Sequence, residues 1–176
     1  MTDTSWHHIR AIVFDLDDTL YAQREFKLSG FRAIAARLAA GDGHSADRIL
    51  HALMQAMQHL GPSHPRLIDA ALNALGLGGV DPSPLVEVFR RHRPSIVLYG
   101  GVGATLARLK MHFRLGLLTD GLASVQSSKI AALALTDVFE HVVVSDEHQM
   151  SKPDERLYEM FEQAFDLPPQ QLVYVG

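Results

Sequence analysis

The 176 residues contain no cysteine. That excludes disulfide frameworks, thiolate zinc sites and cysteine nucleophiles, and it permits a reducing compartment. Positive charge is not in excess either: 16 Lys plus Arg stand against 20 Asp plus Glu, a formal net charge of −4. A broad surface for a phosphate backbone is therefore not expected, and nucleic acid is not the expected partner. No uncharged apolar run approaches the roughly 18 residues that a spanning helix needs, and Met1–Arg10 has no apolar stretch of the signal-peptide kind. The expectation is a soluble chain in the cytoplasm with no membrane partner. Internal repeats and low-complexity segments are lacking, and the ten histidines include no His-Glu-x-x-His pattern. Gly100-Gly101-x-Gly103 lacks the Lys-Ser/Thr of a phosphate-cradling loop and reads as a hinge.

What is present is ordinary for a globular domain. Hydrophobic residues make up 47% and charged residues 20% of the chain, so one dominant core, with room for a small insertion, is expected. Short apolar runs recur at Ala11–Phe14, Leu115–Leu118, Val142–Val144 and Leu172–Val175, with helical periodicity between them. Strands that alternate with helices predict an α/β fold with a parallel, doubly wound, Rossmann-like sheet.

From Tyr21 to Tyr99 the periodicity is helical throughout. Phe31, Ile34, Ala35 and Leu38 share one face, stopped by Gly41; Leu50, Leu53, Met54 and Met57 share another, opened by Ser45 and stopped by Gly61-Pro62. Ile68, Ala71, Leu72 and Leu75 predict a third helix, and Leu85, Val88, Phe89 and His92 a fourth after Pro82-Ser83-Pro84. Residues 21–99 thus read as a helical cap inserted after the first strand of a core formed by residues 1–20 and 100–176. Such an insertion is expected over the C-terminal strand ends, where open α/β sheets bind ligands.

Asp15, Asp17 and Asp18 directly follow the first strand. Several negative charges at one sheet edge repel one another unless a cation intervenes. The run Phe14-Asp-Leu-Asp-Asp-Thr-Leu20 resembles the first motif of the haloacid dehalogenase-like hydrolase superfamily. Leu117-Leu-Thr-Asp-Gly121 is similar to its second motif, and Ser151-Lys-Pro153 to its third. The resemblance implies that Asp15 attacks phosphorus, that Asp17 protonates the leaving oxygen and then activates water, and that Thr119 hydrogen-bonds a phosphoryl oxygen. It further implies that Lys152 offsets the charge on nucleophile and phosphoryl group, with Asp120 beside Thr119 and Lys152 in substrate binding. Mg²⁺ is the implied cofactor, held at Asp15 and Asp17, the latter through its main-chain carbonyl. An acid at Asp17 disfavours dehalogenation, because dehalogenase members typically lack one there.

The spacing of Gln126, Lys129 and Leu133 after Thr119-Asp120-Gly121 is similar to helical-capped members that act on nucleotides or sugar phosphates. The fourth motif begins at Leu172–Gly176, where the sequence stops, so its following acid, a metal ligand in the family, is not among the 176 residues. A core lacking its C-terminal part and a weakened metal site are the expectation, with Asp146 or Glu147 as a less favoured substitute ligand. The first functional expectation is a Mg²⁺-dependent phosphatase that hydrolyses a small phosphorylated metabolite through a phosphoaspartyl intermediate, with phosphomutase chemistry left open. The alternative is an impaired or non-catalytic chain of the same fold that binds a phosphorylated ligand or partner. Nothing in the sequence encodes an oligomeric state legibly.

Overall fold

A computed structural model describes residues 6–41, 43 and 45–176, with Trp6 as backbone only. The polar start of the chain, Met1–Ser5, lies outside the described residues. Contacts divide the chain into two units, Met1–Gln23 with Ile96–Gly176, and Arg24–Ser95.

The first unit is built on strands β1 (Ala11–Phe14), β2 (Arg114–Thr119), β3 (His141–Val144) and β4 (Leu172–Val175), in the order β3-β2-β1-β4. Every pairing is parallel: Val13 lies opposite Gly116 on one side and Tyr174 on the other, and Leu117 lies opposite Val142. Strands covered on both faces need continuous apolar runs, and Leu115, Leu117 and Leu118 are almost wholly buried. With a side-chain period of two, Ala11, Val13 and Leu118 pack on one face against Leu157, Phe161 and Phe165 of α7 (Glu155–Phe165). Phe14, on the other face, meets Phe139 at 6.3 Å between ring centroids. Helices α5 (Val102–Leu109) and α6 (Ala123–Ala132) precede and follow β2.

The second unit is helical: α1 (Gln23–Ala39), α2 (Ala46–Leu60), α3 (Leu67–Ala74) and α4 (Ser83–Arg91). Ser45 opens α2 by accepting the Arg48 amide at 3.3 Å, and the Gly61 amide closes it on the Met57 carbonyl. Its core gathers the apolar faces of all four helices, among them Ile34, Ile49, Leu53, Leu72 and Leu85. The division falls at Gln23/Arg24 and Ser95/Ile96 rather than at Tyr21 and Tyr99. The reason is local: Tyr21 and Leu98 form an antiparallel bridge, and the Tyr99 amide donates to the Leu20 carbonyl at 2.9 Å, which ties both connecting segments to the first unit.

Gly30 in α1 yields a stability prediction. Replacing a helical glycine by alanine ordinarily gains up to about 1 kcal/mol. Here an added Cβ would run into the edge of the Phe89 ring and come within 3.2 Å of His92 Cε1. Phe89 cannot retreat, because Phe26, Phe31 and His92 surround it at 5.5–5.9 Å between centroids. Gly30→Ala is therefore expected to lose about 1–3 kcal/mol in denaturant unfolding, the range typical of overpacking; a gain would show that the Phe89 ring is free to move.

Candidate active site

Parallel strands bring their C-terminal ends to one edge, and residues distant in sequence meet there. The Asp15 amide continues the β1 ladder by donating to the Val175 carbonyl at 2.8 Å. Its carboxylate leaves the strand end and pairs through Oδ1 with Lys152 Nζ at 2.7 Å, across 137 positions of sequence. Lys152 also donates to the Tyr174 hydroxyl at 3.1 Å. The pair is partly exposed, at 20% for the Lys152 and 18% for the Asp15 side chain, so it is open to a ligand. Burial works to lower the Lys152 ammonium, but the hydrogen bonds to Asp15 and Tyr174 and the charge of Asp15 together outweigh it and hold the group above the usual lysine range.

Asp120 has a positioning part in this arrangement. Both of its carboxylate oxygens accept the Lys152 main-chain amide at 3.2 Å, which fixes the loop that carries the ammonium. The Lys152–Pro153 peptide is cis. Gly121, at φ 122°, makes the turn after β2 and lets the Gln126 side chain pass close by, where a Cβ would lie 3.1 Å from Nε2.

Asp17 points into a second, more buried cluster. Lys129 Nζ sits 2.8 Å from each of its carboxylate oxygens, the Tyr21 hydroxyl donates to Oδ1, and Gln126 Nε2 donates to Oδ2 at 3.2 Å. Burial works to raise the Asp17 carboxyl, but the Lys129 charge and these hydrogen bonds outweigh it and hold it below the usual carboxylate range. At neutral pH Asp17 is ionised. Burial and the neighbouring carboxylate push the Tyr21 phenol well above its usual range. Gln126 Nε2 also donates to Thr119 Oγ1 at 3.0 Å and to the Asp120 carbonyl, joining the first two motifs. Thr119 is wholly buried at the end of β2; it accepts from Gln126 and keeps its own proton to give.

The remaining acids have local duties. Asp18, at φ 58°, accepts the Gln23 amide at 2.9 Å and starts α1. Asp146 accepts the Ala123 amide at 3.0 Å and starts α6, and Glu147 is exposed. Sequence reading used Gln126 and Lys129 only as a spacing that suggests a substrate class, with no chemical role, and gave Tyr21 no part in the site. The available signal was Gln126 and Lys129 lying three apart, on one face of α6 that points inward.

The donor set suits Mg²⁺ in part. Among the described residues no group of three or more His, Cys, Asp or Glu side chains gathers as a metal site. Mg²⁺ makes few protein contacts, usually one or two carboxylates with waters completing its shell. Lys152 bonds Asp15 at Oδ1, and the second carboxylate oxygen, Oδ2, is a further anionic donor. The Asp17 side chain does not suit a dication, because the Lys129 ammonium lies against both oxygens. A cavity of about 860 Å³ opens at the opposite end of the strands among Arg10, Lys110 and Arg114. There Arg114 is already paired with Glu140, and Lys110 bonds the Asp137 carbonyl at 2.6 Å, so the chemistry gathers at the carboxylate edge.

Comparison with known proteins gives concordant findings. The model of the haloacid dehalogenase-like hydrolases matches residues 9–176. A glyceraldehyde 3-phosphate phosphatase from Methanopyrus kandleri is 32% identical over 96% of this chain and 75% of its own length. A phosphoserine phosphatase from Thermus thermophilus is 33% identical over 66% of this chain and 47% of its own length. In fold, the magnesium-bound HAD-hydrolase YfnB from Bacillus subtilis superposes with a TM-score of 0.62 at 20% identity, over 96% of this chain and 78% of that one.

Proposed function

This chain belongs to the haloacid dehalogenase-like hydrolases, and we propose that within them it is a phosphatase of small phosphate monoesters with Asp15 as nucleophile. The chief support is the Lys152 ammonium 2.7 Å from Asp15 Oδ1 on a strand end. A carboxylate and a cation so placed serve in-line attack on a dianionic phosphoryl group. Relatives named for glyceraldehyde 3-phosphate and phosphoserine favour a substrate of about that size over a nucleotide. The helical unit, Arg24–Ser95, is inserted in the chain between β1 and β2, and selection of the substrate is the part assigned to it.

The reaction divides at the aspartyl phosphate. Asp15 Oδ2 forms a bond to phosphorus as the ester P–O bond breaks, and the departing oxygen takes a proton from Asp17. Water then attacks phosphorus, Asp17 removes its proton, and the acyl phosphate bond breaks to release inorganic phosphate and regenerate the Asp15 carboxylate. The ionised resting form of Asp17 suits the second half; a phosphate dianion arriving nearby favours its protonation for the first. Lys152 and the Thr119 hydroxyl stabilise charge on the phosphoryl oxygens. Mg²⁺, held at Asp15 and the Asp17 main-chain carbonyl, would supply charge neutralisation for phosphoryl transfer.

Phosphate release from a panel of sugar phosphates, phosphorylated amino acids and nucleotides tests this reading, using the whole chain with Mg²⁺. Turnover on at least one small ester is expected, abolished by EDTA and restored by added Mg²⁺. Turnover that survives chelation would remove the metal from the scheme, and a folded chain that releases no phosphate from any ester would end the phosphatase reading.

A further inference from the structure

Lys129 is a second cation in the site, and the phosphoryl chemistry assigned above makes no use of it. It projects from α6 and is only 4% exposed. Burying an ammonium costs several kcal/mol, and a buried ion pair is on average no more stabilising than a well-packed apolar pair of the same volume. Stability alone therefore explains a lysine here poorly, whereas the task of Asp17 explains it well. An acid–base group must be held close to its productive geometry, and misplacement by about 1 Å can cost on the order of 100-fold in rate. Asp17 is a short side chain with two rotatable bonds. Lys129 spans both of its oxygens at 2.8 Å, Tyr21 takes Oδ1, and Gln126 takes Oδ2. Gln126 also reaches Thr119 Oγ1 at 3.0 Å, so the same clamp registers the carboxylate against the end of β2.

We infer that Lys129 is a positioning residue: it acts through Asp17, fixing the acid–base carboxylate for proton transfer to the leaving oxygen, and it serves turnover rather than phosphate binding. The inference rests on the phosphatase reading above. It adds a positive charge that leaves Lys152 free for Asp15 and the phosphoryl group, so that Asp15 and Asp17 each have their own ammonium.

The test compares the unsubstituted chain, Lys129→Met, Asp17→Asn and the double variant, with circular dichroism to confirm folding. The substrates are glycerol phosphate, whose alkoxide needs a proton to leave, and 4-nitrophenyl phosphate, whose leaving group does not. For Lys129→Met, kcat/KM on glycerol phosphate is expected to fall about 10- to 100-fold, with a clearly smaller loss on the aryl ester. The inhibition constant of inorganic phosphate should stay within about twofold, because binding is not what Lys129 serves. In the Asp17→Asn background, Lys129→Met should add no further loss on glycerol phosphate. Equal losses on the two esters, a weakened phosphate constant or additive losses in the double variant would overturn the role. If Lys129→Met does not fold, Lys129→Arg carries the same comparison: a loss confined to the alkyl ester supports the role, and equal losses overturn it. No turnover by the unsubstituted chain would defeat the phosphatase reading itself. Turnover that Lys129→Met leaves untouched would defeat only the part given to Lys129.

Discussion

Asp15→Asn is expected to lower phosphate release by about 10³-fold or more, a loss of roughly 4 kcal/mol in transition-state stabilisation, while the chain stays folded. The amide matches the carboxylate in shape but supplies neither a nucleophilic oxygen nor the charge that draws in Lys152. The cost in stability should be small by comparison. The Asp15–Lys152 pair is partly exposed, and such pairs contribute about 1 kcal/mol or less. Lys152 keeps its bond to the Tyr174 hydroxyl, and one of three neighbouring negative charges is removed. Thermal unfolding beside the kinetic assay separates the two effects. A sharper readout is labelled phosphate that stays on the chain after acid quenching, with 4-nitrophenyl phosphate as substrate. Asp17→Asn should accumulate it, since the first half proceeds with a good leaving group and the second lacks its base; Asp15→Asn should hold none. Label retained by Asp15→Asn would place the nucleophile elsewhere.

Asp15 and Lys152 could be picked out from sequence because each stands in a motif that resembles the family's; Asp15 follows the end of β1, and Lys152 lies in the loop between β3 and α7. Their partners could not. A lysine on a helix ordinarily reads as solvated, and the three-residue spacing of Gln126 and Lys129 shows that they share a face of α6 but not that it turns inward. Gln126, Lys129 and Ile130 are its buried residues, so the apolar stripe that marks α7 is broken in α6 by the polar groups that make the site. Tyr21 was the edge of a helical region in sequence, yet its hydroxyl belongs to the Asp17 cluster. Asp120, expected at the substrate, bonds the Lys152 amide, a contact made across 32 positions. The strands were legible for the opposite reason: Ala11–Phe14 and Leu172–Val175 sit where the apolar runs predict them. Helix α2 likewise begins after Ser45 and ends before Gly61, because a capping hydroxyl and a terminal glycine act through their own backbone.

The largest effect on stability is expected where the sheet meets α7. Gly116 lies in β2, paired with β1 on one side and β3 on the other, and the Phe161 ring rests directly on it. A Cβ at position 116 would lie 2.6 Å from Phe161 Cε1, 2.7 Å from Cδ1 and 3.3 Å from Val13 Cγ2. The ring has nowhere to withdraw, since it is 1% exposed and packed against His141 at 5.3 Å and Phe165 at 5.9 Å between centroids. Phe161→Ala is expected to cost about 3–5 kcal/mol through lost burial and the cavity left behind. Gly116→Ala should cost about 1–3 kcal/mol through overpacking, although alanine suits a strand no worse than glycine does. The two losses have one cause, the volume shared between ring and glycine, so they should not add. In the Phe161→Ala background the Gly116→Ala methyl enters space already vacated, and its further cost should shrink to about 0.5 kcal/mol or turn into a small gain. Urea unfolding of the four chains, followed at the core, decides the matter. Additive losses would mean that Gly116 is needed for its backbone rather than for the room it gives Phe161.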